Sequence, residues 1–391
     1  MKRHLELVLP ASREPMSMLS VDRSVAELRR GRMIAIRGHE GRASLMMAAE
    51  MATEDSLELL AETARVASGD DLNLLVTARR AHVLGIHLNA EQVVVLNPGQ
   101  DAALNPENIS HLCDPLSTYD PENHLDLSHH EAEPFSNESA AVQLAKIARL
   151  LPAAIIVSID DPDNIMGADD LDGWVKRHDL FLCDAGDVFQ YNNTVARSLR
   201  IVSQARVPLD NAEDTRIMAF RPADGGLEHL AIIIGQPEPD QPTLVRLHSE
   251  CFTGDLLASL KCDCGDQLRG AISEISNQGS GILLYLAQEG RGIGLVNKLR
   301  AYELQDRGFD TLDANEQLGF DADERVYLPA AQMLRLLGYS RVRLMTNNPD
   351  KVASLGNCGL EVTERVPHTF PTNKHNEQYL DTKARRSGHL L

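Results

Sequence analysis

The stretch GILLYLAQEGRGIGLVNKLRAYELQDR, residues 281–307, passes from a continuous apolar run through a glycine-rich turn into helical spacing. The run GILLYL (281–286) has no polar alternation, which reads as a strand buried on both faces. From Leu295 to Arg307 the apolar residues recur at helical intervals. A buried strand that feeds a helix through glycines puts this half of the chain in the α/β or α+β class. Between them, residues 288–294 (QEGRGIG) would offer backbone N–H groups and a positive helix end to an anion. Arg291 adds a planar cation suited to phosphate. The spacing matches neither G-x-x-x-x-G-K-[ST] nor G-x-G-x-x-G, so a plain tight turn accounts for the glycines equally well when they are taken alone.

Upstream, RLHSECFTGDLLASLKCDCGD (246–266) follows a second strand-like run, TLVRL (243–247). Cys251, Cys262 and Cys264 form a C-x10-C-x-C array that resembles no disulfide framework of a small secreted domain and suits zinc. Three thiolates alone leave a coordination position for water, as in catalytic sites; His248 as a fourth ligand would close the site and make it structural. Sequence spacing does not choose between the two. Downstream, a strand at 341–345 leads into Thr346-Asn347-Asn348-Pro349-Asp350-Lys351, a second helix start with Pro in its first turn and a lysine within reach of an anion. Ordinary capping explains that motif as well. The cluster Asp321–Arg325 reads either as a solvated loop or as a proton acceptor, Asp323, kept ionised by Arg325. Tyr302, on the helix after the glycine turn, fits packing as readily as catalysis.

The chain has 391 residues, 43% apolar and 24% charged, which allows two domains with substantial cores. Its formal charge of −19 supplies no basic field to recruit nucleic acid, though a small anionic substrate needs only a local pocket. Six cysteines are too few for a disulfide scaffold. No apolar run reaches membrane-spanning length and the N-terminus does not read as a signal peptide, so a cytoplasmic location is expected.

Strands alternating with helices up to about residue 200 predict an α/β (α+β) two-domain protein. The expected elements of the first half are helices at 21–30 (Ser24 as cap), 45–53, 56–67, 140–151 (Ser139 as cap) and 168–177. Strands are expected at 33–36, 73–77, 92–96, 153–159 and 180–183, with long loops over 98–140. Residues 202–226 read as a polar connection, giving domains 1–204 and 205–391.

From about residue 205 onward the chain resembles GTP cyclohydrolase II, the enzyme that opens the guanine imidazole ring at the start of riboflavin synthesis. The matching stretches are 246–255, 260–268, 281–311, 313–325, 345–352 and 376–391 (NEQYLDTKARRSGHLL). The resemblance implies catalytic zinc on Cys251, Cys262 and Cys264. It implies GTP binding by Arg246, Leu247, His248, Ser249, Glu250, Gln267, Glu289, Gly290, Arg291, Thr311, Thr346 and Lys351, with Mg2+ on the triphosphate. Tyr302 corresponds to an active-site tyrosine, Asp323 to the proton acceptor, and Arg325 to the nucleophile proposed for pyrophosphate release. A homodimer is implied, with no nucleic-acid or membrane partner. One departure is Leu286-Ala287 before Gln288, where the family carries a basic residue.

The first half resembles 3,4-dihydroxy-2-butanone 4-phosphate synthase in its frame: 24–36, 45–53, 136–159 and 170–182. The acidic loop of that family is replaced by GHEGRAS (38–44), its His-Thr-Glu-Ala motif by Ser136-Asn137-Glu138-Ser139, and a strand glutamate by Ser158. These losses predict an inactive domain kept as a scaffold, dimerisation surface or regulator. Two rivals compete with the cyclohydrolase reading: a paralogue acting in pyrimidine catabolism, and a zinc-stabilised guanine-nucleotide sensor without turnover.

Overall fold

The computed structural model describes residues 14–38, 43–67, 71–88, 93–98, 104–118, 127–159 and 171–368. Most of the GHEGRAS loop, the Asp-rich turn after Ile159 and the stretch 376–391 lie outside them. The fold is α/β: two mixed seven-stranded sheets, each carrying helices.

The first sheet joins β1 (Ile34–Arg37), β2 (Ala43–Ala48), β3 (Asn73–Thr77), β4 (Val93–Pro98), β5 (Leu127–Glu131), β6 (Ala153–Ile159) and β7 (Leu182–Asp184) in the order β5-β4-β3-β6-β2-β1-β7. Around it lie α1 (Glu14–Arg29), α2 (Glu54–Val66), α3 (Ala78–Val83), α4 (Pro106–Cys113), α5 (Asn137–Ile147), α6 (Leu171–Arg177) and α7 (Ala185–Arg197). The helix expected over 45–53 is strand β2 followed by a short turn. Every residue of β2 is buried between β1 and β6, and this two-sided burial removes the alternation that would mark a strand. Helix α1 starts seven residues before the expected position, and Ser24 is no cap: it is buried within the helix and donates to the Ser20 carbonyl. The cap of α5 is Ser136, not Ser139; its hydroxyl accepts from the Ser139 N–H. The region 98–140 holds α4 and β5 besides its loops. The side chains of β5 are largely exposed, which leaves no apolar pattern to read.

The second sheet contains β8 (Arg200–Arg206), β9 (Thr215–Arg221), β10 (His229–Ile234), β11 (Thr243–Ser249), β12 (Gly281–Leu286), β13 (Arg341–Met345) and β14 (Glu361–Val366), ordered β14-β13-β11-β12-β10-β9-β8. Its helices are α8 (Cys264–Asn277), α9 (Leu295–Asp306), α10 (Thr311–Gln317), α11 (Leu328–Leu337) and α12 (Pro349–Asn357). The polar connection expected at 202–226 holds most of β8 and all of β9. All seven β8 residues are exposed, so main-chain pairing with β9 alone holds this edge. The expected domain limit at 204/205 falls inside β8.

Along β11, Val245 and Leu247 enter the core beneath α11, whereas Leu244 packs on the α8 side. Period-two alternation puts Arg246 and His248 on that same α8 side. The strands β13, β11 and β12 are mutually parallel neighbours, so their carboxyl ends lie together at one edge. Among the described residues no helix is long and apolar enough to cross a membrane.

By packing, the chain divides into one unit of Met1–Tyr191, Leu299–Phe309 and Asp313–Ala322, and a second of Asn192–Lys298, Asp310–Leu312 and Asp323–Leu391. Within the first unit, Thr77 Oγ1 donates to the Gly319 carbonyl at 2.7 Å. The buried Arg80 guanidinium donates to the carbonyls of Leu112 (2.7 Å), Gln317 (3.0 Å) and His111 (3.1 Å). Arg300 pairs with Glu50 at 2.7 Å. Replacing Arg80 by methionine leaves three carbonyls without this donor, at about 1–3 kcal/mol for each that stays dry. The midpoint of urea unfolding followed by circular dichroism should fall clearly for R80M; an unchanged midpoint would mean water replaces the guanidinium at no cost.

Candidate active site

Three sequence-distant motifs meet at the carboxyl ends of the parallel strands. Cys251 follows β11, the glycine turn follows β12, and Thr346-Asn347-Asn348 follows β13. Open α/β sheets gather ligands at this edge, because the loops there are free to diverge while the strands fix their origins.

The ligand atoms of Cys251, Cys262 and Cys264 all lie within 4.8 Å of one another, and all three cysteines are free. Cys251 Sγ and Cys262 Sγ are 3.7 Å apart. A tetrahedral ion with 2.3 Å metal–sulfur bonds separates its sulfurs by about 3.8 Å. The space beneath the sulfurs is kept open by Gly254, where an added Cβ would lie 2.7 Å from Cys262 Sγ and 3.0 Å from Cys251 Sγ. The donor set and its cradle therefore suit a metal ion that favours thiolates. Among the described residues no other group of three or more His, Cys, Asp or Glu side chains is placed to hold a metal. The Cys262 and Cys264 thiols and the Lys298 ammonium hold Cys251 well below the usual thiol range, while the other two cysteines are pushed up.

His248 is not in that group. Its Nε2 lies 3.0 Å from Asp255 Oδ1, and its ring stacks on Tyr285 with centroids 5.6 Å apart. Asp255 also accepts from the Cys251 N–H (3.0 Å) and the Tyr285 hydroxyl (2.9 Å). Burial outweighs the Asp255 carboxylate and lowers the pKa of His248. A neutral ring facing a carboxylate must carry its proton on Nε2, which removes that nitrogen as a metal ligand. Of the two arrangements the sequence allows, the geometry groups the three cysteines without His248.

The buried Arg246 guanidinium donates to Gln267 Oε1 at 2.6 Å and to the Met345 carbonyl at 3.0 Å, and Gln267 in turn donates to Asp263. Its Nε is buried with no hydrogen-bond partner, and burial lowers its pKa to about 10. Asn347 donates to the His368 carbonyl (2.6 Å), and His368 Nε2 to the Gln267 carbonyl (3.0 Å). Burial holds His368 at a pKa of about 4, so this ring is neutral. Thr346 accepts from the Asn348 N–H, Asn348 caps α12, and the buried Lys351 ammonium lies 3.4 Å from the Leu247 carbonyl. Leu247 itself contributes main chain only, since its side chain belongs to the core. The Glu250 N–H donates to the Leu286 carbonyl, continuing the strand pairing beyond Ser249.

In the glycine turn, Gly290 and Arg291 are both left-handed, with φ of 64° and 61°. This backbone costs a non-glycine residue about 1–3 kcal/mol and is typical of ligand-binding turns. The Arg291 carbonyl accepts from the Glu324 N–H at 3.1 Å, which ties the turn to the loop of Asp323 and Arg325. Arg325 donates to both Asp323 oxygens, at 2.7 and 2.5 Å. Burial alone would raise the Asp323 pKa, but the Arg325 bonds bring it below the usual carboxylate value. The half-buried Tyr302 lies on the part of α9 that belongs to the first unit, and Thr311 opens α10 in the second.

Sequence reading missed Lys298 and Asp255. The Glu289 carboxylate is buried and accepts from the Phe252 and Gly290 N–H groups and from Lys298. One signal was available: a lysine in the first turn of α9 opposes the helix dipole and needs a local anion to hold it there.

A sequence model described as GTP cyclohydrolase II matches residues 200–367. A protein named GTP cyclohydrolase-2 from Azospirillum brasilense is 53% identical over 386 residues, covering 99% of this chain and 97% of its own. Riboflavin biosynthesis protein RibBA of Synechocystis is 46% identical over 255 residues, spanning 64% of this chain and 46% of that protein. RibBA of Bacillus velezensis is 44% identical over 254 residues, 64% of each. Among solved structures, a two-domain 3,4-dihydroxy-2-butanone 4-phosphate synthase from A. baumannii covers 90% of this chain and 99% of its own, at 18% identity and a TM-score of 0.36. With near-complete coverage by a relative of that similarity, and the three-cysteine site intact, the chain belongs to the GTP cyclohydrolase II family.

Proposed function

We propose that this protein hydrolyses GTP to a diaminopyrimidine, formate and pyrophosphate, the first step of riboflavin synthesis, with zinc on Cys251, Cys262 and Cys264 and magnesium on the triphosphate. The observation that carries the reading is the three-cysteine cluster with its Gly254 cradle at the edge where Arg246, Arg291, Thr346 and Lys351 also end. Zinc in such a set would act as a Lewis acid and lower the pKa of water to near neutrality, supplying hydroxide at the guanine carbon between the two imidazole nitrogens.

The residues of the chain do the remaining work. Arg291, Lys351 and the Asn348-capped start of α12 hold the phosphates, and Arg246 faces the nucleotide with its unpaired Nε. Gln267, fixed between Arg246 and Asp263, orients the base. Asp323 takes the proton released during attack, and Arg325 serves pyrophosphate release. The first half acts as an inactive scaffold: Ser136 is spent on a helix cap and Ser158 is exposed where the synthase family carries a glutamate. A reducing, cytoplasmic location fits six free cysteines, and a homodimer is the expected assembly.

The test is formate and pyrophosphate release from GTP by zinc-loaded full-length protein. Stoichiometric release of both supports the reading. Tight GTP binding without formate favours the sensor, and turnover of another ring with none of GTP favours the catabolic paralogue.

A further inference from the structure

Lys298 has no role in the chemistry above, yet it is the buried cation of the metal site. Its Nζ lies 3.0 Å from Cys251 Sγ, 2.9 Å from Thr253 Oγ1 and 2.9 Å from Glu289 Oε1. Only 10% of its side chain is exposed, and 5% of that of Glu289. A lysine is almost never buried to this degree unless its charge is matched. Glu289 is itself fixed, because Oε2 accepts from the Phe252 N–H at 2.6 Å and Oε1 from the Gly290 N–H at 2.9 Å. The carboxylate thus anchors the ammonium from the glycine-turn side, and the ammonium reaches the sulfur from the helix side.

Three thiolates around a divalent ion leave one surplus negative charge in a buried place. An ammonium 3.0 Å from one sulfur offsets that charge. It also fixes the sulfur's direction, as an outer hydrogen-bond donor does for a metal ligand. We propose that Lys298 is the positioning residue of the metal site, setting through its contact with Cys251 how tightly the three cysteines hold their ion. The inference rests on the zinc reading given above and goes beyond it by naming the residue that controls retention.

The experiment uses full-length K298M, K298R and T253V beside the unaltered chain. Zinc per chain and the rate of zinc extraction by a chromogenic chelator are measured, with formate release from GTP followed in parallel. Outer-shell losses weaken metal sites by about 10–100-fold, so K298M should release zinc at least tenfold faster. K298R keeps the cation and should stay within a few-fold of the unaltered chain. T253V removes one acceptor of the ammonium and should fall between them, which keeps the test open if K298M does not fold. Equal zinc release by K298M and the unaltered chain overturns the inference. So does a K298M protein that keeps its zinc but loses turnover, because Lys298 then serves the substrate. If the unaltered chain binds zinc tightly and leaves GTP untouched while K298M still sheds zinc, the proposed activity fails and the role of Lys298 stands.

Discussion

Replacing Cys262 by serine is expected to remove zinc and formate release together. The ligand atoms grouped at this site are the three sulfurs, while His248 faces Asp255 and Gly254 carries no side chain beneath them. A serine hydroxyl is a far weaker ligand than a thiolate for zinc, and two remaining sulfurs cannot define the site. The loss should exceed the 10–100-fold that removing an outer partner causes, and zinc content measured by atomic absorption should drop with the rate. Full formate production by a zinc-free Cys262→Ser protein would sink the assignment.

The second large effect is expected at Asp323. Asp323→Asn keeps the shape of the side chain and removes its basicity, so formate release should fall by about 10²–10⁴-fold while zinc content stays unchanged. Arg325 then predicts a pH effect of definite sign. In the folded protein the carboxylate is held below its ordinary pKa by Arg325, against burial that would raise it. It is therefore ionised over the whole range above that depressed value and lost as a base only when pH falls through it. With Arg325→Met the opposing burial remains, and the acid limb of kcat/KM should move to higher pH. The same linkage applies to folding: the ion pair contributes above the unfolded pKa of the aspartate and is lost as pH falls through the folded one. An acid limb that does not move in Arg325→Met would show that Asp323 is not the group that titrates.

The second sheet was legible where burial is two-sided and continuous. GILLYL and HLAIII read as strands from their continuous apolar runs, and TLVRL despite Arg246, and each became one. Edge strands β8, β5 and β14 carried no such mark, since main-chain pairing at an edge needs no apolar side chain. Strand β2 failed for the opposite reason: Leu45, Met46, Met47 and Ala48 are apolar and wholly buried, so periodicity alone does not separate a core strand from a helix. The cysteine array was legible from spacing, as was the proximity of Asp323 and Arg325. Contacts made across the fold were not. Nothing in the order of residues says that Lys298 bridges Glu289 and the sulfur of Cys251, or that His248 faces Asp255.

The packing of residues 299–309 and 313–322 into the first unit has a consequence for how the molecule comes into being. A ribosome finishes residue 191 about 130 residues before it delivers Ala322. Domains tend to fold as they emerge, N-terminal first, at about 5–20 residues per second. For several seconds, then, Thr77 and Arg80 must wait for Gly319 and Gln317, and Glu50 for Arg300. The early half is a nascent body with a vacant berth, and the late half supplies the piece that fills it. A polypeptide cut at residue 204 would never receive that piece, and its counterpart starting at 205 would carry Leu318 and Phe320, both 1% exposed in the whole chain, with no berth to enter. The two halves are consecutive in the sequence but are finished together.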